Sequence, residues 1–219
     1  MYDPNTIQLI AIIALPLLFA ITVHEVAHGW VANRLGDPTA RMLGRLTLNP
    51  IKHIDPLGTI IVPLSMFLLS GAMFGWAKPV PITVQNLKGG RRDMALVAVA
   101  GPASNLLMAL LWAALASVVL HTASADSSIA TPLLYMARYG ILINLVLMVL
   151  NLLPILPLDG GRILEALLPG PLAWKLSRLE PYGMFIILGL IFFGGWELII
   201  QPVVSFLTPL ILALFGVGP

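Results

Sequence analysis

The chain has 219 residues, of which 58% are hydrophobic and 10% are Asp, Glu, Lys or Arg, with a formal charge of only +2 and a mean hydropathy of +0.95. A soluble domain carries roughly 25% charged residues, so this composition excludes an ordinary water-soluble fold, and the lipid bilayer is the expected solvent. The small net charge gives no footprint for nucleic acid, and the absence of cysteine excludes disulfides, thiolate metal sites and cysteine nucleophiles.

Long apolar runs organise the chain. The first, Ile7 to Ala32, is long enough to cross a hydrocarbon core at about 1.5 Å per residue. It lacks a basic n-region and carries His24, Glu25 and His28 where a signal-peptide cleavage site would lie, so it is not a typical cleaved signal peptide. A shorter run, Leu57 to Phe74, is interrupted by Pro63 and Gly71. Three more follow at Met94–Leu120, Tyr139–Leu156 and Tyr182–Ile200. Val203–Phe215 is short and is expected to form a hairpin with the fifth run.

Basic residues collect in cytoplasmic loops. Arg34, Arg41, Arg45 and Lys52 fall between Asn33 and Pro56, and Lys78, Lys88, Arg91 and Arg92 between Gly75 and Asp93. Arg162, Lys175 and Arg178 follow the fourth run. These three segments are assigned to the inside. The N-terminus and His121–Pro132, which carry neither Lys nor Arg, are assigned to the outside. Both flanks of Leu57–Phe74 are then inside, so that run is expected to re-enter on the inner face rather than cross. The fold class predicted is all-α: a polytopic helical membrane protein with a three-helix catalytic core, C-terminal helices and a re-entrant segment. One membrane-embedded domain is expected over residues 1–219, with the core at about 7–168 and the C-terminal helices at about 180–215.

The sharpest motif is His24-Glu25-Val26-Ala27-His28. Residues four apart share one helical face, so both imidazoles can reach one zinc ion. Glu25 sits beside them, placed to take a proton from the attacking water. Ionisable residues inside a membrane helix are costly and mark function. A catalytic zinc has three protein ligands and an open fourth position. His53, Asp55, His121, Asp126 and Asp159 are the candidates for the third. The charge-derived topology removes His121 and Asp126. It favours Asp159, at the inner end of the fourth run, where Pro154 and Pro157 break the helix and Gly160-Gly161 lets the backbone bend. His53 stays as an alternative ligand, and Asp159 could instead serve as a helix N-cap.

The H-E-x-x-H motif, together with Asn151-Leu152-Leu153-Pro154-Ile155-Leu156-Pro157-Leu158-Asp159-Gly160 downstream, resembles the site-2 protease family of intramembrane zinc metallopeptidases. Gly101-Pro102-Ala103-Ser104-Asn105 resembles a further motif of that family. The resemblance runs from the first apolar run through Gly161. It implies Zn2+ held by His24, His28 and Asp159, with Glu25 as general base. It also implies cleavage of a partner's transmembrane segment near the cytoplasmic face, the side the charges indicate. A minimal form is expected, with no span ahead of the H-E-x-x-H helix and no inserted PDZ domain.

Other polar residues lie within the apolar runs. Asn105 could hydrogen-bond the substrate or support the tetrahedral intermediate, or equally join helices. Asn144 and Asn151 share one helical face; packing suits Asn144, and Asn151 could support the Asp159 turn. Trp76–Thr83, with Pro79 and Pro81, reads as extended. It could offer an edge to an unwound substrate, although a surface loop is the simpler reading. The predicted function is an intramembrane zinc metalloprotease acting on transmembrane protein substrates. It would sit in the cell membrane with its active site toward the cytoplasm. The alternative is a zinc-binding membrane transporter, which would want ionisable residues along a whole path rather than at one depth.

Overall fold

The structure, a computed structural model, describes residues 5–62, 65, 75–124 and 127–218. Its first helix, α1 (Thr6–Arg34), starts at a capping box in which Asn5 and Gln8 bond each other's main-chain N–H, satisfying two donors that a helix start leaves open. It stops after Arg34, where Gly36 takes a left-handed φ of 114°. A single turn, α2 (Thr39–Met42), follows.

Two long helices, α3 (Arg91–Thr122) and α4 (Ala130–Asn151), complete the core with α1. Next come two short helices, α5 (Asp159–Leu167) and α6 (Gly170–Ser177), and then α7 (Glu180–Phe192). The last, α8 (Trp196–Leu214), opens with a π-type turn over Trp196–Ile200. Among the described residues every regular element is helical, and α1, α3, α4 and α8 are long and apolar enough to cross a membrane. The protein is an integral, multi-pass membrane protein.

Association of helices in lipid relies on close packing and interhelical polar contacts, because the solvent is itself apolar. Small residues therefore line the contacts: Ala20 on α1, Ala98, Gly101 and Ala109 on α3, and Ala137 and Gly140 on α4 are all buried. A Cβ at Gly140 would lie 2.5 Å from the Trp112 ring, so glycine there is what lets α4 accept that indole. One apolar cluster joins Ala109, Ala113, Ile141, Leu145, Ile200 and Val204, so α8 seals the α3–α4 pair. A second joins Ala32, Leu87 and Val97 at the other end. Outward-facing Leu15, Phe19, Leu107, Leu111, Phe185 and Phe206 are exposed, as a lipid-facing surface requires.

Two expectations shift. The fifth apolar run is not one helix with a short partner, because α7 stops at Gly194 (φ 87°) and the spanning segment is α8. A smooth hydropathy profile hides this break, since only glycine adopts the left-handed conformation cheaply. The fourth helix starts at Ala130 and ends at Asn151, earlier at both ends than its apolar run. Pro154 disfavours helix ahead of it. Most of the Leu57–Phe74 run, expected to re-enter, lies outside the described residues.

Candidate metal centre

His24 and His28 occupy successive turns of α1, both buried, and their Nε2 atoms lie 3.1 Å apart. Asp159 closes the triangle: its Oδ2 is 3.3 Å from His24 Nε2 and its Oδ1 is 3.3 Å from His28 Nε2. Tetrahedral ligands about 2.0–2.1 Å from zinc are about 3.3 Å from one another, so the three side chains have the spacing of one zinc coordination face.

The tautomers agree. His28 Nδ1 donates to the Val97 carbonyl at 2.7 Å, which leaves its Nε2 as a lone pair. His24 Nδ1 lies 2.6 Å from Asn105 Oδ1. The Asn105 amide nitrogen is already committed, donating to Asn144 Oδ1 at 3.0 Å and to the Ala20 carbonyl at 3.4 Å, so the oxygen faces His24 and accepts. Both Nε2 atoms are thus acceptors, aimed at each other and at a carboxylate. Such a set repels itself unless a cation lies between. Asp159 Oδ2, buried and without a hydrogen-bond donor, fits the same reading.

Each of these three side chains is placed by local sequence. On α3, Val97, Gly101 and Asn105 recur every four residues and so share the face turned to α1. Gly101 is obligatory there, since a Cβ would land on His28 Nε2 and His24 Cε1. Asp159 opens α5, whose first turn packs on the preceding loop. A Cβ at Gly160 would strike the Leu152 and Leu153 carbonyls, and one at Gly161 would strike Leu156 N and Ile155. Arg91 holds the far end of α5 by donating to the Glu165 and Leu168 carbonyls. Arg162 pairs with Glu180 and Glu165.

The centre opens on a cavity of about 610 Å³. His24, Glu25, His28 and Asp159 line it together with Val80, Ala98 and Asn151. Glu25 Oε2 accepts from the Val80 main-chain N–H at 2.7 Å.

The other candidates stand apart. His53 is buried, with Nε2 on the Thr47 carbonyl, and Asp55 bonds Leu57 N and Trp76 Nε1. Exposed His121 bonds the Ser117 carbonyl on its own helix, and Asp126 lies outside the described residues. None of the three described candidates joins the His24–His28–Asp159 cluster. Asn105 is placed behind a histidine rather than on the cavity wall. Asn151 lines the cavity and donates to the Leu147 carbonyl. Val97, Gly101 as a spacer, and the Val80 N–H carry no mark in the sequence that sets them apart as site groups. The four-residue spacing of Gly101 and Asn105 held the one legible hint.

A helical membrane bundle with two histidines and a carboxylate beside a cavity, and the H-E-x-x-H glutamate on its wall, fits the class of membrane metallopeptidases. The chain belongs to Peptidase family M50, whose profile matches residues 12–192. It is 38% identical over 212 residues to YwhC of Bacillus subtilis, covering 96% of this chain and 93% of that protein. It is 32% identical over 174 residues to Rip2 of Mycolicibacterium smegmatis, covering 80% of this chain and 64% of that protein. The names of both relatives describe zinc metalloproteases. No solved structure matches the chain. The class is therefore zinc metalloprotease, and nothing supports the transporter alternative.

Proposed function

We propose that the protein hydrolyses peptide bonds in or near transmembrane segments of membrane-protein substrates, with His24, His28 and Asp159 as zinc ligands and Glu25 as general base. The observation that carries this reading is the convergence of three ligand atoms, 3.1–3.3 Å apart, beside Glu25 in one cavity. Zinc, when bound, supplies Lewis acidity toward the scissile carbonyl and the attacking water. Glu25 takes the proton of that water and passes it to the leaving amine. Asn105 and the Val97 carbonyl hold the two imidazoles in the ligating tautomer. The bundle is one membrane-embedded unit, with the catalytic core at about 7–168 and the C-terminal helices at about 180–215. The basic segments support a site toward the cytoplasmic face of the cell membrane.

The test is purified protein with a panel of tagged single-span membrane substrates, with and without chelator. Cleavage is expected to need the metal. Asp159→Ala should lower zinc content, whereas Glu25→Gln should keep zinc and lose cleavage. Full zinc in Asp159→Ala would remove it from the ligand set, and normal cleavage by Glu25→Gln would remove Glu25 as the base.

A further inference from the structure

Glu25 lies on the same face of α1 as Gly29, one turn on, and both meet the segment around Val80. A Cβ on Gly29 would lie 2.9 Å from Val80 Cγ1 and 2.7 Å from Leu46 Cδ2. Glycine therefore allows that segment to press against the helix backbone, and Val80 is buried there. Its neighbours are Pro79 and Pro81, which carry no N–H. Among residues 79–81 the Val80 amide is the single main-chain donor, and it bonds Glu25 Oε2 at 2.7 Å. Among the described residues no second donor bonds this carboxylate, so Oε1 remains to receive a proton.

The segment is fixed on both sides of Val80. Arg45 donates to the Lys78 carbonyl at 2.9 Å, and Lys78 N donates to the His53 carbonyl at 2.9 Å. Beyond Val80, the buried Asp37 carboxylate accepts from Thr83 N at 2.6 Å and from Asn86 Nδ2 at 3.0 Å. The buried Arg45 side chain, which stands outside the metal cluster, thereby acquires a purpose.

We infer that the main-chain N–H of Val80 is a positioning group for the reaction, fixing the Glu25 carboxylate so that one oxygen is held and the other faces the cavity. A charged acceptor and a donor without competing neighbours make a strong, directional bond. Proline on either side limits the backbone freedom that would let the donor turn away. The inference rests on Glu25 being the general base.

Two measurements test it on the full-length protein. Hydrogen exchange needs no substrate, and because Pro79 and Pro81 have no amide proton, exchange in residues 79–81 reports Val80 alone. Removing the acceptor with Glu25→Ala should speed that exchange about 10- to 100-fold, in line with loss of a hydrogen bond to a charged group. Glu25→Gln, which keeps a carbonyl acceptor, should lie between. Equal exchange in all three proteins overturns the inference. The second measurement replaces Val80 by its α-hydroxy acid, made by cell-free translation, so that an ester removes the N–H and keeps the side chain. The substrate is whichever tagged single-span protein of the panel is cleaved fastest. The ester is expected to lower kcat about 10- to 100-fold, with KM and zinc content little moved, while Val80→Ala, which keeps the N–H, recovers most of kcat. Normal kcat in the ester overturns the positioning role alone. Normal cleavage by Glu25→Gln overturns the general-base assignment and this role with it.

Discussion

Lys88 donates its main-chain N–H to the Leu35 carbonyl at 3.2 Å, tying the chain just ahead of α3 to the end of α1. The 52 or so residues between them therefore leave and return at one end of the bundle, whatever path they take. With Asp37 bonded to Thr83 and Asn86, that end is a folded cap, not a pair of loose loops. The cap carries the Val80 segment to Glu25, so the end at which the chain returns and the surroundings of that carboxylate share a cause.

Topology can be read by cysteine labelling, because the chain has no native cysteine. Met42 and Lys88 are exposed on the cap, and Thr122 is exposed at the far end of α3. Single cysteines at Met42 and Lys88 should react with an impermeant maleimide from the cytoplasmic side, and one at Thr122 from the opposite side. Asp37 is unsuitable because its carboxylate is buried and bonded. Labelling of Met42 and Lys88 from opposite sides would contradict the shared end.

The relay from His24 through Asn105 to Asn144 predicts a metal phenotype for a residue that is no ligand. Asn105→Ala should weaken zinc binding about 10- to 100-fold, the usual effect of losing an outer partner of a ligating histidine. Chelator competition on purified protein measures it, and an unchanged zinc affinity would leave Asn105 as packing only. Asn144→Ala should act chiefly on stability, costing about 1–3 kcal/mol for the Asn105 donor left buried and unpaired. Thermal unfolding in detergent would show that loss with zinc affinity near normal.

Gly101→Ala tests the close approach of α3 to both histidines. The added methyl would occupy space held by the two imidazoles, so the ligand geometry should fail before the bundle does. The expected outcome is protein of unchanged helical circular dichroism that purifies with little zinc. Full zinc content would mean that α3 can shift away at small cost.

Asp37 links the cap to acidity. Burial pushes its carboxyl upward, but donors from Thr39, Asn86 and the Thr83 and Thr39 main chain outweigh this and hold it below its ordinary value of 3.8. A carboxylate favoured in the folded state stabilises that state fully above its unfolded pKa, and the contribution fades as pH falls through the lower folded value. Wild-type protein should lose stability as pH drops below about 4. Asp37→Asn should be less stable at neutral pH and should lack that part of the acid dependence. Parallel melting-temperature curves for the two proteins would assign the acid loss to other groups.

Composition and pattern by themselves determined the solvent, the helical class and the metal chemistry. Apolar runs must be helical in lipid because each main-chain polar group needs a partner within its own segment. His24 and His28 must share a face because they are four apart on such a helix. That Asp159 stands beside the two histidines was legible more indirectly, through Pro154, Pro157 and Gly160-Gly161 beside an acid at the right end of its run. The break at Gly194 was not, since hydropathy averages across a single left-handed residue. Tertiary structure alone decided what stands behind the two histidines. Asn105 could equally have faced a substrate or a helix, and only the packing of Gly101 against the histidines sets it on His24 Nδ1. Lys78-Pro79-Val80-Pro81 read as a loop because its role lies in one main-chain N–H. A sequence shows which residues keep that donor, but the distance from Val80 to Glu25, 55 positions away, is fixed by the cap that Asp37, Arg45 and His53 hold together.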